Sequence, residues 1–392
     1  MSIRKSIGLL ILLLTVILPA SGSGEIQKGR QGHASAPPTY LQVLGPCGFE
    51  FPRDHGAHPG YRVEWWYYTG HVHSEAGDPY GFQLTFFRIQ IRPPGSEANR
   101  PEKPSAWRSD QIFMAHAAVS DLGRKRFHFD EKVARGALGL AGAVQEDGQT
   151  RIFLGPWSAV LTSRDHWLAA SGDRFRFDLQ CRPVKPPVAH GTNGYSKKGT
   201  QRANASCYYS FTRLTVSGSL TLNGETFHVD GSAWMDHEYS TAPLEETLAG
   251  WDWFSLQLND QTELMVYLLR LRKGGYHPAS AGTLVGPFGE AYPLSMGDLK
   301  IEVLDTWTSR RTGAVYPCRW RLYVIPFNME LTLFSNVQDQ ELITRASTQG
   351  IYWEGSISAE GSKGKHSLKG QGYAEMTGYA GTFDFLKPSS PD

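Results

Sequence analysis

A single carboxylate set inside an aromatic run constrains this chain more than any other feature. Glu64 opens the stretch Glu64-Trp65-Trp66-Tyr67-Tyr68-Thr69-Gly70-His71. After Glu75-Ala76-Gly77-Asp78-Pro79 the texture resumes as Tyr80-Gly81-Phe82-Gln83-Leu84-Thr85-Phe86-Phe87-Arg88. Aromatic and β-branched residues suit a half-buried pleated surface, and Gly, Asp and Pro supply the turn. Residues 58–88 therefore read as a β-hairpin. A carboxylate within it is costly unless it has a partner or a purpose.

The rest of the chain repeats this texture. Strands are expected at 111–120, 157–161, 167–171 and 175–179, spaced as in an antiparallel meander, with 135–143 either a short helix or a loop. Asn223-Gly224 is the strongest short turn signal and joins 206–220 to a strand ending Trp234-Met235-Asp236-His237-Glu238-Tyr239. A second hairpin, 250–258 and 263–270, loosely echoes the first and suggests two related β-units in tandem. Further strands are expected at 299–307, 319–325, 329–334, 351–358 and 370–377, the last closing a second barrel. The 12% aromatic share, with Gly 42 and Pro 23, favours strands and turns, and 392 residues exceed what one core usually spans.

The first residues look like an address. Arg4 and Lys5 precede an apolar run, Ile7 to Leu18, and small residues follow, the three-part pattern of a secretory signal at 1–23. The run is short for a membrane span, which needs about 20 residues, so no span is expected once the signal is removed. The mature chain is expected to be secreted or periplasmic. Of 39 Lys and Arg residues, removal of Arg4 and Lys5 leaves 37 against 38 acids, a balance without the footprint of a nucleic-acid partner. The four cysteines Cys47, Cys181, Cys207 and Cys318 allow three complete pairings. Cys181–Cys207 would close the loop between them, and isolated buried thiols are the competing account.

Four blocks then resemble one family. These are Glu64-Trp-Trp-Tyr with Tyr80-Gly-Phe-Gln-x-Thr-Phe-Phe-Arg, Lys185-Pro-Pro-Val with Gly194-Tyr-Ser-x-Lys-Gly, the Asp236-His237 segment, and Gly372-Tyr-x-Glu-x-Thr-Gly-Tyr. Together they resemble the secreted AttH proteins, relatives of carotenoid 1,2-hydratase (CrtC) and also called predicted secreted hydrolases. The resemblance implies an all-β chain of two tandem lipocalin-like antiparallel β-barrels, with domains at 58–240 and 241–392; the polar, Gly- and Pro-containing stretch at 24–57, without clear periodicity, reads as an extended arm before them. It also implies a small hydrophobic ligand and an association with an ABC transporter, and no cofactor is expected. In the family's hydratases the third block is closer to Asp-His-Asn-Trp, so Asp236 and His237 match while Glu238 and Tyr239 differ.

Two functions follow from these residues. One is acid-catalysed conversion, such as hydration, of an isoprenoid- or lipid-like molecule. Glu64, Asp236 or Glu238 would donate the proton, and His237 would take one from water. Aromatic faces, Trp65, Trp66, Trp234 and Trp251 among them, would steady the cation. The other is a non-catalytic carrier, in which the acids and His237 are structural pairs. The residues expected to touch a ligand are Trp65, Trp66, Tyr67, Gln83, Arg88, His116, Tyr195, Lys198, Trp234, Tyr239, Trp251 and Trp253. On an extended strand Trp234, Asp236 and Glu238 share one face and His237 the other. Two like charges on one face raise a pKa, unless Asp236 or Glu238 pairs with Arg88 or Arg213. His116 reads as a core histidine bonded to neighbouring backbone. His71 and His73 are expected to face solvent, and no metal is expected. The loop carrying His190, Tyr195 and Lys198 is either a lid or a crossover covering a barrel end. No Gly-x-Ser-x-Gly elbow supports serine chemistry.

Overall fold

The computed structural model describes residues 39–96 and 105–381; the secretory-signal segment lies outside them. Thirteen strands form the first sheet: β1 (Val63–Ser74), β2 (Pro79–Gln90), β3 (Gln111–Asp121), β4 (Arg126–Arg135), β5 (Ala141–Glu146), β6 (Gln149–Leu154), β7 (Trp157–Leu161), β8 (His166–Ser171), β9 (Phe175–Pro183), β10 (Val188–Ala189), β11 (Tyr195–Lys197), β12 (Ala205–Leu222) and β13 (Glu225–Ser240). Their order is β4-β3-β2-β1-β13-β12-β9-β8-β7-β6-β5, with β10 and β11 paired to β12. The sheet curls until β6 packs against β3 and β4, giving a nearly closed barrel. Trp66, Tyr68, Phe82, Phe86, Trp157 and Phe177 are among the side chains that fill it.

The second sheet is a half-barrel of β14 (Leu248–Leu258), β15 (Glu263–Leu271), β16 (Ala281–Val285), β17 (Ala291–Ser295), β18 (Leu299–Thr308), β19 (Val315–Val324), β20 (Met329–Ser335), β21 (Glu341–Ile343), β22 (Ile351–Lys363) and β23 (His366–Thr377). The last strand does not close it, contrary to expectation. β23 lies in the middle, between β14 and β22, because its alternate residues face both the sheet's own core and the first barrel, and the edges are β17 and β18.

Local chemistry explains the pairing. Asn223 (φ +52°) and Gly224 (φ +89°) occupy the left-handed region that a two-residue hairpin turn requires. That turn sets β12 against β13, and β13 in turn pairs with β1: Tyr67 opposite Asp236 and Trp66 opposite His237. Side chains alternate across a strand. Odd residues of β1 and even residues of β13 therefore face the second sheet, while Glu64, Trp66 and His237 face into the barrel.

The arm preceding β1 caps one barrel end. Phe49, Phe51 and His55 gather round Tyr209, and Trp66 Nε1 donates to the His55 carbonyl at 2.9 Å. A disulfide ties this arm to β12, and it is Cys47–Cys207, not Cys181–Cys207. Cys181 points into the barrel core, out of reach of the loop it was expected to close, and both Cys181 and Cys318 are free and buried. Among the described residues, no helix is long and apolar enough to cross a membrane.

Candidate functional site

The acids of the two hairpins belong to two different places. Inside the first barrel, Glu64 is buried and accepts from Arg88 Nε at 2.7 Å, His237 Nε2 at 2.8 Å, His58 Nδ1 at 2.7 Å and the His58 amide at 2.9 Å. Burial alone would raise its pKa, but Arg88's charge and the hydrogen bonds from His237 and His58 hold it well below the usual carboxylate range. His237 is fully buried, its ring 4.8 Å from Trp66 and its Nδ1 3.1 Å from Tyr209 Oη, and burial lowers its pKa. Tyr239 stacks on His58 at 3.7 Å. Among the described residues, His58, Glu64 and His237 are the one trio whose ligand atoms lie close enough to share a metal ion. They do not fit one: both imidazoles already meet the same Glu64 oxygen, and the Arg88 guanidinium holds a fixed positive charge beside it.

The other face of the same strands lines a cavity of about 130 Å³ between the sheets. Val63, Trp65, Phe87, Trp251, Trp253 and Leu269 supply apolar walls, and the partly exposed Lys198, Asn204, Pro243 and Leu244 form its rim. Asp236 accepts from Tyr208 Oη at 2.8 Å, Trp234 Nε1 at 2.6 Å and Ser210 Oγ. Trp253 Nε1 donates onward to Tyr208 Oη at 3.1 Å. Neither Asp236 nor Glu238 pairs with Arg88 or Arg213. Arg88 sits on the opposite face with Glu64, and Arg213 reaches Glu263 at 2.6 Å. Glu238 instead accepts from Ser206 and lies 3.1 Å from Lys198 Nζ, which also sits 3.9 Å from the Tyr267 ring centre.

Two further carboxyls, Glu354 of β22 and Glu375 of β23, stand opposite each other across the strand pair and face the same cavity. Burial pushes Asp236 up to about 7 despite its three donors. Burial likewise pushes Glu375 up to about 7, partly offset by a hydrogen bond from Trp251 Nε1 at 3.1 Å. Glu354 is also raised, by burial first and by Glu375 second. Asp236 and Glu375 are thus acids that hold or release a proton near neutrality.

Of the residues expected to act, Asp236, Glu238, Trp65, Tyr67, Lys198, Trp251 and Trp253 meet at this cavity. Gln83 stands behind it, its Nε2 2.5 Å from Glu354 Oε2, and Trp234 backs Asp236. Glu64, His237, Trp66, Arg88 and Tyr239 belong to the barrel side. Tyr195 is spent on the Arg202 carbonyl at 2.6 Å. His116 does not bond backbone: its ring bridges Tyr352 Oη and Ser347 Oγ, each at 2.7 Å, because β3 faces the second sheet there. His71 is buried against Ser356 Oγ at 2.6 Å, while its neighbour His73 is exposed. The loop after Cys181 lies against both sheets. His190 is buried between Thr283 and Ser210, and Lys198 reaches the rim. Glu354 and Glu375 were missed. Their signal was the one that exposed Glu64, an acid within an aromatic strand: Tyr352-Trp353-Glu354 and Tyr373-Ala374-Glu375.

The AttH-like family model matches residues 42–379. The chain belongs to the AttH-like family. A solved candidate AttH from Nitrosomonas europaea is 33% identical with a TM-score of 0.76, covering 86% of this chain and 99% of its own. Kievitone hydratase from Nectria haematococca is 17% identical with a TM-score of 0.63, over 88% of this chain and 97% of its own, a likeness of fold. No curated protein matches the chain. The family assignment and both likenesses span the two sheets, so the lipocalin-like architecture extends over nearly the whole described chain.

Proposed function

We propose that the cavity between the sheets is the active site of an acid–base catalyst that hydrates, or otherwise converts by proton transfer, an apolar isoprenoid- or lipid-like molecule. The observation that carries this reading is the placement of Asp236 and Glu375, from opposing sheets, in one aromatic-walled cavity with both carboxyls pushed up to about 7. A carrier needs apolar walls but no such pair. The hydratase named among the fold's relatives supports the reaction class.

The roles follow from hydrogen bonding. Asp236 accepts from three donors, which favours its ionised form, whereas Glu375 accepts from one. Glu375 therefore gives its proton to an alkene carbon, leaving a cation that the faces of Trp65, Trp251 and Trp253 stabilise. Water adds to the cation, and Asp236 takes the proton that the water sheds. Proton exchange with solvent returns both groups to their starting forms.

The test is to incubate purified protein with a lipid extract from its native envelope and follow the extract by mass spectrometry. A lipid that gains the mass of one water with wild type, but not with Asp236→Asn or Glu375→Gln, supports catalysis. A lipid that co-purifies unchanged with all three leaves the carrier, and the transporter association with it. We further assign the mature chain to an oxidising compartment outside the cytoplasm, a reading supported by the Cys47–Cys207 bond.

A further inference from the structure

The inner end of the cavity, at Tyr67 and Glu354, and the layer just behind it carry hydrogen-bonding atoms that lack a well-placed partner. Tyr67, Thr69, Gln83 and Glu354 are all buried, and Tyr67 Oη, Thr69 Oγ1, Gln83 Oε1 and Glu354 Oε1 complete no hydrogen bond. Register brings them together. Thr69 lies directly across from Gln83, Tyr67 is two residues along the same face of β1, and Gln83 Nε2 reaches Glu354 Oε2 at 2.5 Å. Tyr67 and Glu354 line the cavity itself. Tyr67 and Glu354 stand close enough for their side chains to interact, but Tyr67 Oη and Glu354 Oε1 reach no partner in good hydrogen-bond geometry, so a guest can take up both. A buried polar atom left bare costs about 1–3 kcal/mol, and two on the cavity lining with two more behind them mark a floor shaped for a polar guest.

Charge decides which guest. Asp236, Glu238, Glu354 and Glu375 all face the cavity, and its one lining cation among the described residues, Lys198, is already 3.1 Å from Glu238. An entering carboxylate or phosphate would find no unpaired lining cation among the described residues and would face the ionised Asp236 in a poorly solvated space. We infer that the ligand is a neutral amphiphile, an apolar body ended by a hydroxyl, phenol or carbonyl group that reaches the Tyr67–Glu354 floor, and that fatty acids and other anionic lipids are rejected. This rests on the cavity being the functional site, but it concerns affinity rather than turnover.

Three probes with one body separate the terms: 4-butylphenol, butylbenzene and 4-butylbenzoate, titrated into the purified protein at pH 7 and followed by tryptophan fluorescence. None has an isolated alkene to hydrate, so failure of the catalytic reading leaves the comparison intact. The phenol is expected to bind about 3- to 10-fold more tightly than butylbenzene, and the benzoate at least about 10-fold more weakly than the phenol. Tyr67→Phe is expected to remove the phenol's advantage over butylbenzene. Equal or tighter binding of the benzoate, no advantage of phenol over butylbenzene, or no binding of any probe overturns the inference. So does an undiminished phenol advantage in a folded Tyr67→Phe protein, and the wild-type comparison decides even if that variant fails to fold.

Discussion

Asp236 and Glu64 show how neighbours decide the work of a carboxylate. Both are buried. Glu64 has a guanidinium beside it and stays ionised; Asp236 has neutral donors only, and burial prevails. For Asp236 the sign follows directly. Its folded pKa lies above its unfolded value, so between pH 4 and about 7 the folded state binds more protons, and stability falls as pH rises through that window. Urea unfolding of Asp236→Asn is expected to show a shallower loss of stability from pH 5 to pH 8, by on the order of 1–3 kcal/mol. Glu64 has the opposite sign: its contribution is present at neutral pH and is lost as pH falls through its depressed folded pKa. Glu64→Gln strands the Arg88 charge and is expected to cost about 3–5 kcal/mol at pH 7 by the same measurement.

At the scale of elements, the arm and the hairpins differ in how they are held. The β12–β13 hairpin is specified locally by Asn223-Gly224 and was legible for that reason. So was the split of the Asp236 face from the His237 face, since alternation needs no tertiary information. The arm is held by contacts from far along the chain, above all a disulfide spanning 160 residues, and no local pattern reveals such a partner. Cys47→Ser is expected to lower unfolding free energy by about 2–5 kcal/mol, read from urea denaturation under oxidising conditions. The arm meets the cavity only through Ala205 among the residues it packs against, so probe binding should persist in that variant. Short strands such as β5, β6, β16 and β17 were illegible because their hydrophobic alternation is brief and their burial depends on the curl of the sheet.

At the scale of the molecule, the site exists because two sheets turn acidic, aromatic faces toward each other. Each sheet's acid was visible in sequence as a carboxylate among aromatics, but which acids meet depends on register and on docking, and neither is written in any one segment. That is why Glu64 drew attention while Glu354 and Glu375 did not. Ties such as Lys185 Nζ, which sits 2.8 Å from Glu263 Oε2 and 2.9 Å from the Gly286 carbonyl, hold the long loop of the first sheet on the second. On the proposed mechanism, in which one group acts as acid and the other as base with both near 7, turnover should follow a bell centred near neutral pH. It declines when both are protonated and again when both are ionised. A pH–rate profile on the lipid identified by mass gain checks this.

The most direct measurement is infrared difference spectroscopy of the purified protein, following the protonated-carboxyl band from pH 5 to pH 9. The account predicts a band that bleaches with a midpoint near 7, diminished in Asp236→Asn and in Glu375→Gln and intact in Glu64→Gln. A protein with no carboxyl titrating above pH 5, or one whose band is lost with Glu64→Gln alone, would contradict it and return the chemistry to the barrel side of β1.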